Sequence, residues 1–151
     1  MAATVGMRDS YHSAALGKAM LGLLDEGAIR ERVGDEPFAQ KTTTTCRNYS
    51  ELLSDLKEVR NCGYAIDDEE NEPGARCVAS AILDWSGACV GAVSISGPAT
   101  RVTAERAVEL SRLVRESAAA VSGRLGYLVP PGTRSESPNA RKDRRTVSVI
   151  R

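Results

Sequence analysis

Two runs of small and β-branched residues, 76–84 and 88–96, flank the tripeptide Trp85-Ser86-Gly87. Strand-like runs separated by a short turn read as a β-hairpin, and no other feature constrains the fold as strongly. Side chains alternate across a strand, so centring the turn on Ser86-Gly87 assigns every residue to a face. Asp84 then lies opposite Cys89, Cys77 opposite Ser96, and Ala79 opposite Ser94. One face carries Cys77, Ala79, Ala81, Leu83, Val90, Ala92, Ser94 and Ser96; the other carries Val78, Ser80, Ile82, Cys89, Gly91, Val93 and Ile95. Both are largely apolar, so the hairpin is expected to be covered on both sides. On the first face small side chains leave room, and the Cys77 thiol and the Ser94 and Ser96 hydroxyls gather at one end. Two arrangements fit that pattern. Either the space is a pocket with a few convergent polar groups, the usual form of a small-ligand site, or a helix fills it and the serines bond neighbouring backbone.

Helical periodicity surrounds the hairpin. Residues 12–24 read as a helix with Leu16, Met20, Leu23 and Leu24 as apolar positions and Ser13 as its N-cap. A second short helix is predicted over residues 25–33, and the threonine tract 42–45 suits an extended strand. Asn48 or Ser50 caps a stronger helix over residues 49–62, with Leu52, Leu53, Leu56 and Val59 at helical spacing and Gly63 placed to end it. Residues 64–67 resume an extended path, followed by an acidic loop (Asp67, Asp68, Glu69, Glu70, Glu72) turned by Pro73-Gly74. A long helix is predicted over 103–123, with Ala107, Leu110, Val114, Val121 and Leu125 along one side. No internal repeat is present.

Charge and cysteine usage narrow the function classes. Twenty basic residues balance twenty acidic ones, which argues against autonomous DNA binding, because neutralising phosphates supplies most of that affinity. Cys46, Cys62, Cys77 and Cys89 form no C-x-x-C pair and His12 is the sole histidine, so no metal site and no cofactor are expected. Free thiols without a secretion signal fit a reducing cytoplasm, and no apolar run approaches membrane-span length. From Pro130 the composition turns to Pro, Ser, Asn and Arg, with six basic residues against two acidic ones. Residues 129–151 are therefore expected to be a disordered basic tail, and residues 1–128 a single domain.

Several segments resemble one family in order and spacing. HSAALGKAML is similar to the helix start of IclR-type effector domains, and LKEVRNCGYAIDDEENEPGARCVASAILDWSGACVGAVSISGP to their most distinctive stretch. There a Gly-Tyr-Ala strand leads through an Asp-x-Glu-Glu loop to a Gly-x-x-Cys strand, and a second strand ends in Ser-x-Ser-Gly-Pro. The match runs from about Val5 to Gly126. It implies an α/β (α+β) fold: a GAF-like antiparallel sheet flanked by helices, holding a small organic acid or aromatic carboxylate as effector. The family's ligand-binding groups correspond to the backbone amides of Ala15 and Leu16, to Asp67 and Cys77, and to Ser94 and Ser96. Amides at a helix start suit a carboxylate because unsatisfied donors face the ligand. Ala75, Leu83 and Val90 are weaker candidates for an apolar wall.

Family members also carry an N-terminal winged helix-turn-helix that binds DNA, and this sequence begins inside the effector domain. The resemblance therefore implies that part of the sheet is missing at the N-terminus, through fragmentation, a misplaced start codon or gene truncation. DNA would be reached only through the missing domain, as a homodimer or homotetramer. The surviving sheet would expose an edge and an apolar face, which invites self-association. Two other readings compete: a cysteine-dependent enzyme using Cys77, for which His12 would have to approach and lower the thiol pKa, Arg76 being adjacent in sequence but on the other strand face, and a ligand-free GAF-like interaction module or remnant. In the sensor reading no catalytic residue is assigned.

Overall fold

The computed structural model describes residue 6 and residues 8–128, so the tail reading for 129–151 falls outside the described residues. The elements run α1 (Ala15–Leu21), α2 (Glu26–Val33), α3 (Tyr49–Cys62), β1 (Ala65–Asp68), β2 (Ala75–Leu83), β3 (Cys89–Pro98) and α4 (Ala104–Arg124). The strands form a three-stranded antiparallel meander in the order β1-β2-β3, and helices cover both faces. This is the α/β architecture, an antiparallel sheet flanked by helices, that the resemblance implies.

Period-two alternation on β2 sets the two layers. Val78 points to the side where α4 packs, joining Val102, Ala107, Leu110 and Val114, with Tyr64, Ile66 and Ile95 at the margin. Ala79 points to the opposite side, where Ala15 and Ala19 of α1 rest on Ala65 and Ala79. Such small residues let α1 approach the sheet closely. Gly17 instead lets the segment before α1 fold back onto the helix: a Cβ there would lie 2.5 Å from the Tyr11 carbonyl oxygen and 2.6 Å from Tyr11 Cα. A separate core joins α1, α2 and α3 through Leu21, Ile29, Phe38, Tyr49, Leu52 and Leu56. Burying each such leucine or isoleucine contributes about 1.5–3 kcal/mol.

The helix boundaries follow their caps. Asp25 accepts from the Ala28 amide to start α2, Asn48 from the Glu51 amide to start α3, and Thr103 from the Arg106 amide to start α4. Gly63 ends α3 in the left-handed conformation, at φ 77°. Of the two candidate caps for α3, Asn48 is the one used.

Four expectations are corrected. Ser13 does not cap α1; Ala14 holds that position without a side-chain bond, because the Ser13 hydroxyl donates to Asn71 Oδ1 at 3.0 Å. The threonine tract is not a strand. Its hydroxyls turn back on local backbone, Thr45 Oγ1 accepting from the Lys41 and Thr42 amides and donating to the Glu70 carbonyl, so side-chain bonds compete with a ladder. On α4 the buried stripe continues as Ala118 and Ser122, while Val121 and Leu125 are exposed. Finally, the hairpin register holds from Ala75↔Pro98 to Ile82↔Gly91 but shifts at Leu83, which pairs with Cys89. Asp84 causes the shift by taking the Ser86 amide, the Ser86 hydroxyl and the Ala88 amide on one carboxylate oxygen, which closes the turn one residue early.

Candidate functional site

The ladder brings the polar candidates into rows. Asp67 on β1 pairs with Cys77 on β2, and Cys77 pairs with Ser96 on β3. One step along, Ala65 pairs with Ala79 and Ala79 with Ser94. Directly opposed residues in an antiparallel sheet share a face, with Cβ atoms about 4.5–5.5 Å apart. Asp67, Cys77, Ser96 and Ser94 therefore occupy one side of the sheet, the side on which α1 lies.

Each polar group of the first row is held differently. Asp67 is 2% exposed, and its Oδ1 accepts from the Glu70 amide at 2.8 Å and the Asn71 amide at 3.1 Å. Burial raises its pKa above the usual carboxylate value despite those two amide bonds. Burial also pushes the Cys77 thiol up; the hydrogen bond with Ser96 works against this, and the Asp67 charge adds to it. Cys77 thus stands between a carboxylate and a hydroxyl in the row. Ser94 is half-buried and Ser96 exposed, so the row is open to solvent at the β3 side.

The remaining candidates divide by position. Ala15 is buried as the first residue of α1, and the Leu16 side chain is exposed. Ala75 is buried and continues the same face beyond Cys77. Leu83 lies six residues from Cys77, about 20 Å along the strand, and Val90 beside it is 54% exposed. The structure does not bring these two to the polar row. Leu83 instead lines a cleft of about 140 Å³ with Ala19, Gly22, Val59 and Ala81. A wider hollow of about 450 Å³, lined by residues 42–44, Asp68, Glu69 and Arg76, sits beyond the acidic loop. Neither is lined by Cys77, Ser94 or Ser96.

The groups that would activate a thiol are engaged elsewhere. His12 Nε2 lies 3.0 Å from the Ala39 carbonyl oxygen, and its ring stacks on Phe38. Arg76 donates to Asp68 and to the Ala99 and Val102 carbonyls on the far side of the sheet. Among the described residues no three His, Cys, Asp or Glu side chains converge as a metal ion would require, and no helix is long and apolar enough to cross a membrane.

Beside the polar row stands a buried ionic cluster that sequence spacing alone does not announce. Lys18 of α1, 3% exposed, donates to Glu70 Oε1 at 2.6 Å and to Asp55 Oδ2 at 3.2 Å. Burial pulls the ammonium pKa down, but the two carboxylates outweigh it and hold it above its ordinary value. Glu70 is also buried, its Oε2 has no partner, and burial raises its pKa to about 7 against the pull of Lys18. Asn71 extends the network, accepting from Ser13 and Lys41 and donating to Asp9. One signal was available: Lys18 stands three residues from both Ala15 and Leu21, which places a cation on the helix face that carries the apolar residues.

A family model described as bacterial transcriptional regulator IclR C-terminal matches residues 1–123. The HTH-type transcriptional repressor AllR of Escherichia coli strain K12 is 40% identical over 131 residues, covering 87% of this chain and 48% of the repressor. The crystal structure of Thermotoga maritima IclR superposes with a TM-score of 0.78 at 38% identity, covering 84% of this chain and 51% of that one. The C-terminal domain of the E. coli transcriptional regulator KdgR gives 0.74 at 32% identity, covering 81% of this chain and 74% of that domain. The chain spans about half the length of the curated relatives it matches.

Proposed function

The chain belongs to the family of C-terminal domains of bacterial IclR transcriptional regulators, and from that premise we propose that it is the effector-sensing module of such a regulator, binding a small carboxylate or an aromatic acid. Its relatives are transcriptional regulators, not enzymes. One observation carries the reading: Asp67, Cys77 and Ser96 form a single cross-strand row with Ser94 in the next, beside the start of α1. In this reading the Ser94 and Ser96 hydroxyls and the Ala15 and Leu16 amides donate to the carboxylate of the effector. Asp67 accepts from a ligand hydroxyl, its own negative charge being disfavoured by burial. Cys77 and Ala75 form the floor.

Residues 1–128 make up the sensing domain and residues 129–151 a separate basic tail. DNA reading belongs to a helix-turn-helix domain distinct from these residues, in a cytoplasmic homodimer or homotetramer. The free edge of β3 and the exposed side chains of Val90, Val121 and Leu125 support self-association. Occupancy changes the regulator only insofar as the acid binds its two conformations with different affinity.

The thiol-enzyme alternative is disfavoured because His12 and Arg76 are engaged elsewhere, and burial raises the Cys77 thiol pKa. Titration calorimetry with pyruvate and benzoate as probes tests the sensor reading. At least one should bind reversibly and saturably, without turnover. Hydrogen bonds to charged groups contribute about 1.5–3 kcal/mol, so Ser94→Ala and Ser96→Ala should each weaken binding at least about tenfold. Undiminished affinity in both variants would refute the assigned hydroxyls, and no binding by a broad panel of acids would favour the ligand-free module.

A further inference from the structure

The buried Lys18 cluster joins three parts of the molecule. Lys18 belongs to α1, Asp55 to α3, and Glu70 to the turn that follows β1. That turn is folded around Asp67, whose Oδ1 takes the amides of Glu70 and Asn71. Asp67 is thus attached to the turn at its base, and Glu70 carries the turn's strongest outward tie. Glu70 Oε1 also receives the Asp68 amide at 3.4 Å, so the same oxygen closes the turn on itself and fastens it to α1.

We propose that Lys18 and Glu70 are positioning residues for the site: their buried ion pair holds the Asp67 turn against α1 and so fixes where the Asp67 carboxylate stands relative to the Cys77–Ser96 row. The inference rests on the reading of Asp67 as a ligand-facing group. Geometry supports it in two ways. The pair is a direct charged contact between α1 and the turn, and both partners are almost entirely removed from water. In that setting the attraction is weakly screened, and removing one partner leaves the other buried and uncompensated. A neutral and lighter tie reaches the segment just before α1, the Ser13 hydroxyl donating to Asn71.

Further contacts of the turn run to the threonine tract, through Thr45 on the Glu70 carbonyl and Thr44 on the Glu69 carbonyl, and from Asn71 to Lys41 and Asp9. They hold the turn from its outer side. None fixes its distance from α1, which is what the ion pair does.

Amide hydrogen exchange on the full chain tests this without any ligand. Glu70→Ala and Lys18→Met are expected to speed exchange at the Glu70 and Asn71 amides at least tenfold, leaving the β2–β3 ladder amides unchanged. Glu70→Gln keeps an oxygen acceptor for Lys18 but removes the charge, and should leave protection at both amides between that of the wild type and that of Glu70→Ala. If one of the two disruptive variants unfolds, the other decides. Unchanged protection of the turn, or loss of protection throughout the fold in both variants, overturns the proposal. The readout needs no acid, so failure of every acid to bind would overturn the sensor reading separately and leave the exchange result standing.

Discussion

Replacing Glu70 by Gln should change how the stability of this protein depends on pH, and the structure sets the size of the effect. Burial raises the Glu70 pKa from 4.5 to about 7, and with the residue only 8% exposed little solvent screening reduces the consequence. A carboxyl whose folded pKa lies above its unfolded value holds its proton more tightly in the folded state. Its contribution is therefore fully present below pH 4.5 and is lost as pH rises through about 7. Each unit between the two values corresponds to about 1.4 kcal/mol, so the wild-type protein should lose roughly 3 kcal/mol through this group. That is a large share of the 5–15 kcal/mol typical of a domain. Gln carries no proton to lose. Urea denaturation of both proteins at pH 5, 6, 7 and 8 should show the variant gaining on the wild type as pH rises, most steeply between pH 5 and 7. Asp67 shifts in the same direction but is common to both and cancels in the difference. Parallel profiles, or a wild type that gains on the variant with rising pH, would refute the argument. The latter would mean that attraction to Lys18 outweighs the cost of burying the charge.

Other consequences follow from packing and charge. Gly17→Ala drives a methyl group into the Tyr11 backbone and should cost about 2 kcal/mol or more; a melting temperature within a degree of wild type would contradict the close contact between α1 and the Tyr11 backbone. Cys77, raised by burial, should remain unalkylated by iodoacetamide at pH 7.5 on the timescale that labels a free thiol. Rapid stoichiometric labelling at Cys77, read by peptide mass spectrometry, would reopen the nucleophile reading. The β3 edge and the exposed apolar side chains predict an oligomer in sizing chromatography with light scattering, and a monodisperse monomer would contradict that.

The hairpin was the most legible element because its evidence is local and periodic. Alternation alone paired Cys77 with Ser96 and Ala79 with Ser94, and the ladder has those pairs. Legibility ended where side chains intervene in backbone geometry. Asp84 gathers three donors and shifts the register at Leu83, and threonine hydroxyls turn a β-branched tract into a loop. Ser13 has the residue type of a cap, yet its hydroxyl is claimed by Asn71, distant in sequence. The same limit explains the hidden ionic cluster. Lys18, Asp55 and Glu70 are ordinary surface residue types, and only the packing of α1, α3 and the acidic turn makes them a buried unit. Asp67 was visible through resemblance, whereas its burial and its amide bonds required the fold.

The central claim is that one face of the sheet receives a small acid at Asp67, Cys77, Ser94 and Ser96. Chemical-shift mapping by NMR during titration with an acid that binds would locate the ligand residue by residue. The account predicts that the largest saturable shifts cluster at those four residues and at the Ala15 and Leu16 amides. Shifts confined to the cleft beside Leu83, to the hollow beyond the acidic loop, or to the α4 side of the sheet would contradict it.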